Sequence, residues 1–152
     1  MICAVCKSPM IVVEYKQIEL DHCPQCHGVW FDAGEMELFM ASLDVAGPDQ
    51  FVSELVNAPE ARTQEKKRKC PICAHHMKKV VAGEGTGTLV DVCPGGDGLW
   101  FDGGEVGQLM QQLPAAPAGR PPQAISAFFK EVFQADEATG SAISNNQPEV
   151  NR

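Results

Sequence analysis

The chain has 152 residues and is 44% hydrophobic. Even so, it has no run approaching the roughly 18 consecutive apolar residues that a membrane-spanning helix needs. Its first ten residues, MICAVCKSPM, lack both the charged start and the apolar stretch of a secretory leader. The expected location is therefore the cytoplasm, with no membrane partner. Aromatic residues are scarce, at 7%, so no single large core is evident. Positive charge is scarce too. Twelve Lys and Arg face twenty Asp and Glu, giving a net charge of −8. That disfavours general affinity for nucleic acid, because neutralising phosphates takes Lys and Arg. The deficit is uneven: residues 1–60 carry ten acidic and two basic side chains, whereas residues 61–79 carry one acidic and seven basic.

What is abundant is cysteine. There are seven, and six form C-x-x-C pairs: Cys3/Cys6, Cys23/Cys26 and Cys70/Cys73. Cys93 stands alone. In a reducing compartment this spacing favours metal ligation over disulfides. The pairs also reveal a repeat. Cys3, Cys6 and Met10 match Cys70, Cys73 and Met77 at an offset of 67. Cys23, Trp30, Phe31, Asp32 and Glu35 match Cys93, Trp100, Phe101, Asp102 and Glu105 at an offset of 70. The second copy thus has three extra residues, expected in the glycine-rich stretch Gly83–Gly87.

Each unit opens with a cysteine pair and continues as a hairpin. Ile11, Val13 and Tyr15 alternate with other residues, as do Ile18, Leu20 and His22. A two-residue turn at Lys16-Gln17 sets Tyr15 against Ile18 and Val13 against Leu20, and it also places Glu14 opposite Glu19. In the second unit the expected strands are Met77–Ala82 and Thr88–Val92. Asp32-x-x-Glu35 and Asp102-x-x-Glu105 fit a capping pattern with Asp as N-cap. Helices are expected near Glu35–Leu43 and Glu105–Leu113, with another at Pro48–Asn57 that has proline in its first turn. The domain reading is a first unit over 1–57, a basic linker over 58–69, a second unit over 70–113, and a remainder over 114–152. That remainder holds a Pro/Ala linker, a short amphipathic helix at 124–134 and a flexible tail.

A tetrahedral zinc ion takes four soft ligands at about 2.3 Å. Two cysteine knuckles joined by a hairpin supply them, so Cys3, Cys6, Cys23 and Cys26 are read as a structural zinc site. A closed site of this kind stabilises a unit too small to fold on its own core, by on the order of 10 kcal/mol. The competing use of the same residues is a thiol–disulfide switch.

The run C-x-x-C…M…C-P-x-C-x-G-V-W-F-D-x-G-E resembles the transcription factor IIB-type zinc-finger family of small zinc ribbons, over roughly residues 1–43 and 68–113. The resemblance implies a small, metal-stabilised α+β fold of two tandem ribbons, each a β-hairpin plus a short helix. It also implies Cys3, Cys6, Cys23 and Cys26 as ligands. It does not imply that the protein initiates transcription.

The second unit departs from that pattern. Residues 93–105, CPGGDGLWFDGGE, agree with 23–35, CPQCHGVWFDAGE, at eight of thirteen positions, but Gly96 replaces Cys26. Cys70, Cys73 and Cys93 leave the fourth zinc position to Asp97, to His75 or His76, to water, or to no metal at all. His22 and His27 read as polar neighbours of the complete site. An open position raises the question of catalysis, with Asp102 or Glu105 as base. Both, however, have counterparts beside the closed site, so no enzyme is expected.

Trp30, Phe31, Trp100 and Phe101 could stack on bases, but filling the core between hairpin and helix is the stronger reading. Arg62–Lys69 with Lys78 and Lys79 is the one basic patch suited to nucleic acid or an acidic partner. Phe128, Phe129 and Phe133 could dock on a partner or fold back on the ribbons. The function expected is a non-enzymatic zinc-binding interaction module with a protein partner, for which the family resemblance suggests a transcription-related setting. The alternatives are a nucleic-acid-binding regulator using residues 62–79 and a thiol or zinc sensor using Cys70, Cys73 and Cys93.

Overall fold

The fold is taken from a computed structural model that describes residues 1–82 and 87–112. The expected loop tip at 83–86, the Pro/Ala linker, the helix at 124–134 with its three phenylalanines, and the tail lie outside the described residues.

The first hairpin joins β1 (Ile11–Tyr15) to β2 (Ile18–His22). Its register is the expected one, with Tyr15 opposite Ile18, Val13 opposite Leu20 and Glu14 opposite Glu19. The turn is unusual in composition. Lys16 and Gln17 take φ values of 45° and 66°, the left-handed shape that Asn-Gly adopts most easily. Lys16 recovers some of that cost: its ammonium donates to the Ser42 carbonyl at 3.2 Å and lies 5.2 Å from the centre of the Tyr15 ring.

Next comes β3 (Val29–Asp32), which the hairpin-plus-helix reading omitted. Val29, Trp30 and Phe31 are all buried, so no alternation of polar and apolar residues marks them as a strand. Helix α1 (Glu35–Ser42) follows, then α2 (Pro48–Asn57) with proline in its first turn, as expected. The second unit repeats the plan with β4 (Lys78–Ala82), β5 (Thr88–Val92), β6 (Gly98–Phe101) and α3 (Glu105–Gln112). Two residues separate β1 from β2 and five separate β4 from β5, so the three extra residues fall in the second hairpin connection.

The six strands form one antiparallel sheet in the order β1-β2-β3-β6-β5-β4. The units meet at β3 and β6, where Trp30 lies opposite Trp100, Val29 opposite Phe101 and Phe31 opposite Leu99. Trp30 and Trp100 are equivalent positions of the repeat, so a local two-fold axis passes between them. Successive strand residues point to opposite faces, and this sheet buries both. Phe31, Phe101, Leu20, Val80, Val90 and Val92 pack with Met36, Phe39, Leu109 and Met110 of the helices in one core shared by both units. The rings of Phe31 and Phe101 meet edge-on at 5.5 Å. On the other face Trp30 and Trp100 pack with Cys3, Cys23, Cys70, Cys93 and Met77. The phenylalanines thus fill the space between hairpin and helix. The tryptophans do not: they face the cysteines and are fully buried, which rules them out as an exposed stacking platform.

The capping expectation needs a correction. Asp32 and Asp102 are not side-chain caps. Gly34 holds the N-cap of α1, and no side chain bonds there. Each aspartate instead accepts the indole N–H of the tryptophan two residues earlier, at 2.7 Å for Trp30 and 3.1 Å for Trp100. The glutamate half of the motif behaves as expected. Glu35 and Glu105 each accept the backbone N–H of the aspartate at 2.8 Å.

The basic linker lies along the edge strand β4. The Ala61 N–H donates to the Lys79 carbonyl at 2.8 Å. The Lys78 ammonium donates to the carbonyls of Val56 and Ala58 at 2.9 and 2.7 Å. Lys79 is buried and lies 3.0 Å from the equally buried Asp91 and 3.1 Å from Glu65. Arg68 pairs with Asp102 and lies 3.6 Å from Asp91. Lys67 pairs with Glu60 at 2.7 Å. Four of the seven cations expected to form a surface patch therefore have partners within the chain, and of these Lys79 is buried.

Candidate metal centres

Each cluster is assembled from two knuckles at one end of its hairpin. In the first, an Sγ atom from each of Cys3, Cys6, Cys23 and Cys26 lies within 4.8 Å of every other. Cys3 and Cys26 are 3.5 Å apart, and Cys6 and Cys23 are 3.4 Å apart. Four thiolates at 2.3 Å from a tetrahedral zinc ion stand about 3.8 Å from one another. The cluster fits zinc. Backbone N–H groups of Val5 and Cys6 point at the Cys3 sulfur, at 3.3 and 3.4 Å, and these favour the thiolate that a metal requires. Ser8 does the same for Cys6, and its hydrogen bonds bring that thiol down to about 6. Ser8 was not singled out in the sequence; a lone serine after a knuckle carries no distinctive spacing. Burial pushes Cys3 and Cys26 the other way, upward.

In the second cluster Cys70, Cys73, Cys93 and Asp97 meet the same 4.8 Å limit. The Asp97 Oδ2 atom lies 3.3 Å from Cys93 and 3.6 Å from Cys70, and Cys73 lies 3.6 Å from Cys93. A sulfur at 2.3 Å and an oxygen at 2.0 Å on one tetrahedral zinc stand about 3.5 Å apart. This cluster also fits zinc, with a carboxylate in place of the missing thiolate. His75 and His76 are both exposed and are not part of the cluster.

The backbone explains how Asp97 gets in. In the first unit the knuckle closes with the His27 N–H on the Cys23 carbonyl, and His27 takes the left-handed conformation at φ 64°. In the second it closes one residue sooner, Gly96 N–H on Cys93 carbonyl, and the left-handed residue is Gly96 at φ 83°. Glycine adopts that conformation without strain. Moving the left-handed residue one place earlier turns the next side chain, Asp97, toward the sulfurs. The carboxylate has an electrostatic effect: it pushes the Cys73 thiol up to about 12, while the thiols hold Asp97 below the usual carboxylate range. In the absence of a cation, the fourth position keeps a proton on its neighbour.

A family described as transcription factor zinc-finger, of the zinc-ribbon type, matches residues 2–42 and 69–112. The chain belongs to this family. No curated protein and no solved structure matches it. Both zinc ribbons keep the tryptophan, phenylalanine, aspartate and glutamate that follow the second knuckle, and the structure shows what these do. The aspartate fixes the indole and the glutamate starts the helix. Asp102 and Glu105, nominated as possible bases, hold the same indole and backbone N–H contacts as Asp32 and Glu35 beside the four-cysteine cluster, and Asp102 adds its pair with Arg68.

The ribbons also lock each other at positions that the repeat did not single out. A Cβ on Gly28 would collide with the Trp100 indole. One on Gly98 would collide with the Trp30 indole and the Phe31 carbonyl. Each tryptophan thus covers the backbone beside the other unit's cysteine knuckle.

Proposed function

We propose that the protein is a non-enzymatic interaction module whose fold is held by two zinc ions and whose partner is another protein. Cys3, Cys6, Cys23 and Cys26 ligate the first ion, and Cys70, Cys73, Cys93 and Asp97 the second. The observation that carries the reading is that each set of four donors closes on itself, which leaves no coordination position for a substrate. The recess beside the second cluster is about 110 Å³, well below the roughly 300–1,000 Å³ of ordinary small-molecule sites. Among the described residues no helix is long and apolar enough to cross a membrane. A transcription-related setting and a cytoplasmic location are part of the proposal; for the first, the family name is the support.

Zinc would act here as a folding ligand, neutralising thiolates and tying the knuckles to the hairpins. The test is chelation. Stripping metal from the full chain should abolish the cooperative unfolding transition and expose both tryptophans to solvent, and adding zinc back should restore them. An apoprotein that kept its buried tryptophans would contradict the proposal.

A second reading, binding to nucleic acid, has one observation in its favour. A groove of about 460 Å³ is lined by Lys7, Lys66, Lys67, Arg68, Lys69 and His76 together with Ala4 and Val5. No Phe, Tyr or Trp lines it, so the His76 imidazole is the one ring it offers for base stacking. This reading requires salt-sensitive retention of single-stranded DNA or RNA that disappears when Lys66, Lys67 and Lys69 become Ser. The absence of retention at low salt would dismiss it.

A further inference from the structure

The two units are alike in backbone but not in what lies along their outer edges. Five positions make the comparison. Lys79 of β4 is equivalent to Val12 of β1, and Lys78 to Ile11. Asp91 and Asp102 are equivalent to Asp21 and Asp32. Arg68 is equivalent to Met1, and the match is structural as well. The Met77 N–H donates to the Arg68 carbonyl at 2.8 Å, and the Met10 N–H donates to the Met1 carbonyl at 3.0 Å.

In the second unit an extended segment, residues 58–68, covers this edge. It donates the Ala61 N–H to the Lys79 carbonyl, sets Glu65 on Lys79, and places Arg68 against Asp91 and Asp102. In the first unit, among the described residues, nothing donates to the Val12 carbonyl. Val12 is 61% exposed and Ile11 50%. Asp21 and Asp32 have methionine where the second unit has its arginine. An open strand edge with exposed apolar side chains is a template for strand addition. Here the chain itself shows what such a strand looks like when bound.

We propose that the β1 edge of the first unit is a docking site for an extended segment of another protein. That segment has the chemistry of residues 58–68, altered as the site requires. It carries an arginine for Asp21 and Asp32. Where the linker has Glu65 for Lys79, it carries an apolar side chain for Val12. Its backbone donates to the Val12 carbonyl as Ala61 donates to that of Lys79. This rests on the reading of the protein as an interaction module and names the partner's chemistry. Charge complementarity selects a basic segment: the first 60 residues hold ten acidic and two basic side chains.

The test uses the zinc-loaded full chain and two fluorescent probes. One is the peptide APEARTQEKKRK, residues 58–69; the other is the same peptide carrying E65V. The equivalent edge of the second unit is already occupied by the tethered linker, whose effective concentration far exceeds that of a free peptide. By anisotropy, the E65V peptide should bind at least about fivefold more tightly than the parent peptide, a ratio that burying one apolar side chain against Val12 can set. Asp21→Asn should weaken it by a similar factor. Val12→Lys, which recreates the second unit's edge, should reverse the preference in favour of the glutamate peptide. Binding of neither probe, or a preference that Val12→Lys leaves unchanged, would overturn the inference. So would a concentration-dependent dimer that blocks both probes, because it would make a second copy the occupant. Zinc content measured on the same samples separates the two proposals: loss of zinc speaks against the module, whereas full zinc with no binding speaks against the docking site alone.

Discussion

At the scale of single residues, the second ribbon turns on Gly96 and Asp97. Losing the cysteine side chain did not leave a hole. The left-handed residue moved one place earlier in the knuckle, and the next side chain took the vacated position. Asp97 was legible as a candidate because it is the nearest donor in sequence. The choice between Asp97 and the histidines was not legible, because it depends on where the backbone turns left-handed. Restoring the first ribbon's motif with Gly96→Cys and Asp97→His should make the second zinc slower to leave in the presence of a chelator. An unchanged rate would show that the carboxylate is as good a ligand as the thiolate. Glu105 gives a pH prediction. Burial pushes its carboxyl from the ordinary 4.5 up to about 7, against the opposing hydrogen bond from the Asp102 N–H. Between these values the folded chain holds a proton that the unfolded chain has released. The group's contribution to stability is therefore full below pH 4.5 and lost as pH rises through 7. Glu105→Gln cannot ionise, so its denaturant midpoint should rise relative to the parent's between pH 5 and pH 8. A constant difference would contradict the assignment.

At the scale of elements, what followed a regular pattern could be read from the sequence. The alternation in Ile11–Tyr15 and Ile18–His22 fixed the first hairpin and its register, and Pro48 marked the start of α2. What the sequence hid was β3 and β6. Their apolar residues are buried on both faces, one against the helices and the other against the cysteines, so a continuous apolar run of three looks like a lead-in to the helix. The capping pattern misled for a chemical reason. An aspartate beside a tryptophan has a stronger use for its oxygen than a helix end, because a buried indole N–H left without an acceptor is costly. Two substitutions test the account of the elements. Gln17→Gly removes one left-handed strain from the turn and should raise stability by about 1 kcal/mol in denaturant unfolding. Lys79→Met leaves Asp91 buried beside one fewer cation and should lower stability by about 3 kcal/mol, with part recovered when Asp91 is also made apolar. A loss within 0.5 kcal/mol, roughly the size of an ordinary surface change, would mean that the linker does not seal this pair.

At the scale of the whole molecule, the sequence repeat becomes a two-fold relation across β3 and β6, with one core on the helix side and both cysteine clusters on the other. The coupling is reciprocal, since Trp30 seals the backbone at Gly98 and Trp100 seals that at Gly28. Trp100→Ala, made in the second ribbon, should therefore speed zinc loss from the first, as followed with a colorimetric chelator. Loss confined to the second site would deny the coupling. The duplicated motif was visible in the sequence, but the joining of its copies was not, because strand pairing between units leaves no spacing to read. The central claim is that both clusters hold zinc and that a carboxylate completes the second. The most direct measurement is the zinc-to-protein ratio of the purified chain, taken beside that of Asp97→Ala. The account predicts about two zinc ions per chain, falling toward one in the variant. A ratio near one in the parent, or near two in both, would contradict it.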